Sequence, residues 1–169
     1  MAVVDDVYLG NPNLKKANTQ IEFTQEQILE FVACKNDPVY FAKQHVKIVS
    51  LDEGLVPFEP YDFQEQLIRN FHENRFNICK MPRQTGKSTT SVSYLLHYAV
   101  FNDNVNIGIL ANKAATARDL LGRLQTAYEN LPKWMQQGIV SWNKGSLELE
   151  NGSKILAAST SASAVRGMS

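Results

Sequence analysis

The chain has 169 residues and a mass of 19.0 kDa, enough for one domain with a sizeable core; its 44% hydrophobic and 20% charged residues are ordinary for a globular protein. Seventeen Lys and Arg balance seventeen Asp and Glu, so the chain as a whole lacks the basic excess of a nucleic-acid binder. Cys34 and Cys79 stand in neither C-x-x-C nor zinc spacing and read as reduced core residues of a cytosolic protein, while no stretch approaches the ~18 uninterrupted apolar residues of a membrane span and no secretory apolar core is present.

Residues 1–20 are polar and without period, which predicts a flexible arm or linker. A helix is expected from Thr24, where Gln27 completes a capping box and Ile28, Leu29, Phe31 and Val32 make an apolar stripe. Asp37 as cap and Pro38 as first residue predict a short second helix. The β-branched runs on either side of Gly54 predict a small hairpin, so that 21–60 forms a helical and hairpin subdomain.

From Tyr61 to the end the pattern alternates between helix and strand. "YDFQEQLIRNFHEN" predicts a helix capped by Asp62 and Glu65, with Phe63, Leu67, Ile68 and Phe71 inward. "RFNICKM" predicts a strand, followed by a loop and a helix from about Gly86 to Phe101. Another strand is expected at "NVNIGILA" and a helix over "NKAATARDLLGRLQTAYENL". Three short strands then follow, joined by "NKG" and "NGS" turns. This order predicts an α/β fold with a parallel sheet flanked by helices and an appended hairpin.

Chemistry concentrates in "MPRQTGKSTT", Met81 to Thr90. The phosphate-loop pattern G-x-x-x-x-G-K-S/T is met by Gly86, Lys87 and Ser88, but Met81 replaces the first glycine. Such a loop needs converging backbone N–H groups, a helix N-terminus and a lysine that reaches the terminal phosphates. Ser88 offers a hydroxyl to Mg²⁺, and Thr89 adds a second. The Met81–Pro82 pair is expected to shape the turn that the missing glycine would otherwise permit. Arg83 could supply positive charge to a departing γ-phosphoryl, or could be a surface arginine paired with a carboxylate.

"PRQTGKSTT" resembles the variant Walker A motif of the large terminase subunits of tailed bacteriophages, especially T-even-type myoviruses, whose loop reads R-Q-x-G-K-S/T. "YDFQEQLI" is similar to the family's adenine-recognition motif, with Gln64 as its glutamine and Phe63 as the preceding aromatic. "VNIGILANKAATARDLL" resembles the strand and helix after the loop, and residues 131–169 the approach to the Walker B strand. The resemblance spans about residues 20–169. It implies a P-loop NTPase of the ASCE, RecA-like kind over 61–169, an ATPase using ATP and Mg²⁺. Such an enzyme drives viral double-stranded DNA into a prohead and carries a C-terminal nuclease in the full-length protein. By position, Phe63 and Gln64 would read adenine, and Arg83, Gln84, Thr85, Gly86, Lys87, Ser88 and Thr89 would surround the phosphates. Lys87 and Arg83 would be catalytic, and Ser88 would hold Mg²⁺. Implied partners are the portal protein, the prohead, the small terminase subunit and DNA, in a ring on the portal within the host cytoplasm.

The family's Walker B Asp-Glu pair is expected beyond "VRGMS", so this stretch alone is expected to lack ATP hydrolysis. Two other readings compete: a superfamily-2 helicase or translocase, which also pairs an upstream glutamine with a phosphate loop, and a nucleotide-binding or docking module without turnover. His45, His72 and His97 are scattered, Trp134 and Trp142 read as packing residues, and Arg118 and Arg123 as solvated. Arg166 and Gly167 match an "RG" of the family, with a sensor or a structural role equally open.

Overall fold

The computed structural model describes residues 6–50 and 52–160. Where the sequence predicts a flexible arm, strands β1 (Val7–Tyr8) and β2 (Asn11–Lys15) pair antiparallel. Distant partners hold them. Leu14 is buried, Gln136 Oε1 accepts the Lys15 N–H at 2.9 Å, and Lys15 Nζ meets Glu150 at 3.1 Å. Buried backbone groups must be bonded, and here the partners lie more than 120 residues away.

Helix α1 (Gln25–Asn36) opens with the expected capping box: Thr24 Oγ1 accepts the Gln27 N–H, and Gln27 Oε1 accepts the Thr24 N–H. Its apolar stripe differs from expectation. Ile28, Leu29 and Val32 stay exposed, whereas Cys34 is fully buried and Phe31 packs on Phe101 at 4.9 Å. The helix meets its neighbours along one narrow face, which the stripe only grazes. Helix α2 (Pro38–His45) starts at Asp37, whose carboxylate accepts the Val39 and Tyr40 N–H groups. Strands β3 (Lys47–Ser50) and β4 (Gly54–Pro57) form the predicted hairpin, with Gly54 at φ +75°.

Helix α3 (Asp62–Glu73) is capped differently from the Asp62–Glu65 reading: Tyr61 precedes it, and Gln64 Oε1 accepts the Tyr61 N–H at 2.9 Å. Leu67 and Ile68 face inward, but Phe63 does not; it is 47% exposed. The strand predicted over "RFNICKM" is absent. This stretch forms no strand and pairs with none among the described residues, leaving Phe76 and Ile78 exposed.

Helix α4 (Lys87–Phe101) and strand β5 (Asn106–Ala111) lie where expected. Helix α5 (Ala114–Glu129) crosses back, and β6 (Ile139–Trp142), β7 (Ser146–Leu149) and β8 (Lys154–Ser159) follow. The sheet order is β5-β8-β7-β6, with only β5 and β8 parallel. This corrects both the parallel sheet and the appended hairpin. Two tight turns make β6–β8 an antiparallel meander that belongs to the sheet, and the α5 crossover lays β8 beside β5. The observed class is mixed α/β. Ile107, Ile109, Leu147 and Ile155 of the sheet join Leu121, Leu124 and Tyr128 of α5 and Leu96 and Val100 of α4 in one core.

Cys34 is buried as expected, but Cys79 is exposed. Trp134 packs edge-on to His45 and Trp142 packs on Tyr128, as their packing reading requires. The histidines are less scattered than their sequence positions suggest, since the rings of His72 and His97 lie 6.0 Å apart. Arg123 pairs with Asp119 at 3.1 Å. Arg166 and Gly167 fall outside the described residues. No helix among the described residues is long and apolar enough to cross a membrane.

Candidate functional site

The segment 81–86 is a loop that turns directly into α4. Two of its residues have left-handed backbones, Gln84 at φ 61° and Gly86 at φ 72°. Met81 has no positive φ. Its position therefore makes no demand that only glycine could meet, which accounts for the replaced first glycine. Gly86 is different. Its conformation favours glycine, and a Cβ there would run into the Gln64 side-chain amide.

That amide is buried, at 4% exposure. Gln64 Nε2 donates to the Thr85 carbonyl at 3.3 Å while Oε1 accepts from Tyr61, so the side chain clamps the loop to the start of α3. Sequence reasoning singled out Gln64 but missed this clamp. Only the paired constraint of a glycine at 86 and a short amide at 64 could have signalled it. Phe63 is stacked on Tyr61, with centroids 5.8 Å apart and planes at 12°.

Inside the loop, Lys87 Nζ donates to the Pro82 carbonyl at 3.2 Å, and Thr85 Oγ1 donates to the same oxygen at 3.0 Å. The lysine thus folds back over the turn and, among the described residues, is held by a single neutral acceptor. At the head of α4 the first intrahelical backbone bond is Thr90 N–H to Gly86 O, so the N–H groups of Lys87, Ser88 and Thr89 precede the ladder. Thr90 and Ser91 direct their hydroxyls back to the carbonyls of Gly86 and Lys87. Ser88 and Thr89, half-buried, make no such bond among the described residues. Arg83 and Gln84 are exposed, and Arg83 forms no ion pair among the described residues. A cavity of about 200 Å³ lies beside Lys87 and Ser88, walled by Leu67, Phe71, Cys79 and Ile109.

The far end of α4 is fixed by His97. Its Nε2–H donates to the Cys34 carbonyl at 2.9 Å, and burial pushes its pKa down to about 4, so the imidazole is neutral near pH 7. The helix that carries Lys87 is thereby seated on α1.

One end of this arrangement offers anions a helix N-terminus, a lysine and free hydroxyls on a glycine-dependent turn. The family model described as "Terminase large subunit, T4likevirus-type, N-terminal" matches residues 78–169, which include the whole loop from Met81 through Thr89. The match covers more than half of the chain and favours the packaging-motor reading over the helicase one. The chain therefore belongs to the T4-like family of terminase large subunits, the subunits of viral DNA-packaging motors.

Proposed function

We propose that this chain forms the nucleotide-binding part of a packaging ATPase with a P-loop NTPase fold, in which 81–89 receives the phosphates of ATP. The observation that carries the reading is the lysine of a left-handed glycine turn at the head of α4, folded onto one backbone carbonyl. The donor set fits a polyphosphate. Three amides open the helix, Lys87 can exchange its carbonyl for a stronger anionic acceptor, and the Ser88 hydroxyl is available to Mg²⁺. Bound ATP would supply the transferable γ-phosphoryl, and Mg²⁺ would neutralise part of its charge. Arg83, without a carboxylate partner among the described residues, would add charge at that end. Gln64 would hold the loop's shape, and with Phe63 it would read the adenine base. The portal, prohead, small terminase subunit and double-stranded DNA are the partners that this motor role would require, assembled as a ring.

The test is ATP binding and single-turnover hydrolysis in the full-length protein. Lys87→Ala should nearly abolish both, because the β- and γ-phosphate charge then goes unmatched. Arg83→Ala should lower turnover by on the order of 10³-fold or more with little change in ATP affinity, and Arg83→Lys should not rescue it. Unaltered turnover in Lys87→Ala would overturn the phosphate-site reading.

A further inference from the structure

Far from the loop, three side chains of different donor chemistry converge where α1 meets α2. Glu30 and Cys34 lie one turn apart on the inner face of α1, and His45 is the last residue of α2. His45 Nε2 is 2.8 Å from Glu30 Oε1, and Cys34 Sγ is 3.6 Å from the same oxygen. The three donor atoms all lie within 4.8 Å of one another. A tetrahedral zinc ion with bonds of about 2.0–2.3 Å would space its donors by roughly 3.3–3.7 Å. The Cys34–Glu30 separation already lies in that range, and the His45–Glu30 separation would have to open by about half an ångström.

We propose that Glu30, Cys34 and His45 form a binding site for a borderline-soft divalent cation, Zn²⁺ by preference. One sulfur, one imidazole nitrogen and one carboxylate oxygen make a donor set that suits Zn²⁺ and is poor for Mg²⁺ or Ca²⁺. The surroundings are those of a metal site. Tyr40 Oη donates to the other oxygen of Glu30 at 2.9 Å, which orients the carboxylate as an outer-shell partner does. Phe41 and Trp134 flank the His45 ring, and Cys34 is fully buried. The side chains of His45 and Glu30 keep 14% and 29% exposure, which leaves room for water as a fourth ligand. On binding, the metal takes the sulfur lone pair, and the thiol proton leaves to solvent. The ion would join α1 to α2 at the corner that, through the Cys34 carbonyl and His97, also seats α4.

The experiment is Zn²⁺ titration of the purified, reduced chain against a chromophoric chelator, with Co²⁺ as a spectroscopic probe. One Zn²⁺ per chain is expected, together with a thiolate-to-cobalt charge-transfer band in the near ultraviolet. Cys34→Ser and His45→Ala should each weaken binding by more than the roughly 10–100-fold that loss of an outer-shell partner costs. Glu30→Gln, which keeps the side-chain volume, should weaken it as well, and Cys79→Ser should change nothing. Absence of the cobalt band in the wild-type chain would overturn the site without recourse to any variant. Zinc retained at full affinity by Cys34→Ser would overturn it too, and the three groups would then be a hydrogen-bonded helix corner alone.

Discussion

The N-terminal hairpin and the segment leading into the loop, residues 75–81, both carry residues whose strand formation the sequence misjudged, and they differ in what their backbone bonds to among the described residues. β2 reads Asn-Pro-Asn-Leu-Lys, a poor strand by composition, yet β1 pairs along it and Gln136 bonds its Asn13 carbonyl and Lys15 N–H. Residues 75–81 include Phe76 and Ile78, good strand formers, and the latter is fully exposed. The contrast teaches that a strand is a property of two segments. Propensity describes how well a residue sits on a pleated, half-buried surface, and it gives nothing to a segment with no such surface beside it.

The largest effect should come from removing the hairpin's anchor. Gln136 is buried, and its amide donates to the carbonyls of Asn13 and Leu131 while its oxygen accepts from Lys15. Gln136→Leu leaves these groups unbonded and should cost on the order of 3 kcal/mol, since each buried unsatisfied group costs about 1–3 kcal/mol. Urea unfolding would measure the loss, and hydrogen exchange should show the Lys15 amide unprotected. An unchanged midpoint would mean that the hairpin is not docked in solution.

Acid should separate the two ends of the molecule. The pKa of His97 is depressed to about 4, from roughly 6.5 in the unfolded chain. Its contribution is complete above the unfolded value and is lost as pH falls from there towards 4, because the unfolded state then binds the extra proton. The loss should be on the order of 3 kcal/mol, levelling off below the folded pKa. Glu150 behaves differently. Burial raises its pKa, but the bonds from Gly138, Asn18 and Lys15 outweigh burial and hold it below the ordinary carboxylate value. The hairpin's ion pair therefore persists until pH falls through that lowered value. Unfolding midpoints compared at pH 7 and pH 5 should fall in the wild-type chain, and the His97→Asn variant should show a flatter profile. Equal slopes in the two proteins would remove His97 as the cause.

The smallest effect should be at the unpaired segment. Ile78→Asp exchanges a fully exposed apolar side chain for a charge and should move stability by no more than about 0.5 kcal/mol. A loss several times larger would show that the segment finds a partner surface in solution.

Local signals were legible in the sequence, and long-range ones were not. The capping box at Thr24, the Asp37–Pro38 start of α2, the Gly54 hairpin and the "NKG" and "NGS" turns each depend on residues within a few positions, and each formed where expected. The N-terminal hairpin was missed because its bonds run to Gln136 and Glu150. The mixed sheet was missed because strand order depends on which edge β8 reaches after α5. In the loop, the residue types and the turn could be read from spacing. The buried clamp of Gln64 on Thr85 could not, since an amphipathic helix offers no reason to bury a glutamine. The nearness of His45 to Cys34 was hidden for the same reason: eleven positions apart in sequence, they meet only because α2 folds back on α1.

The bond from Lys15 to Glu150 spans 135 positions, and this sets an order on synthesis. A ribosome adds about 5–20 residues per second, so the hairpin waits on the order of 10 s for its partner to be made. Throughout that time Leu14 has no core to enter. The hairpin is thus made long before its partners and is among the last elements to dock, closing over β6 only when the meander behind it already exists.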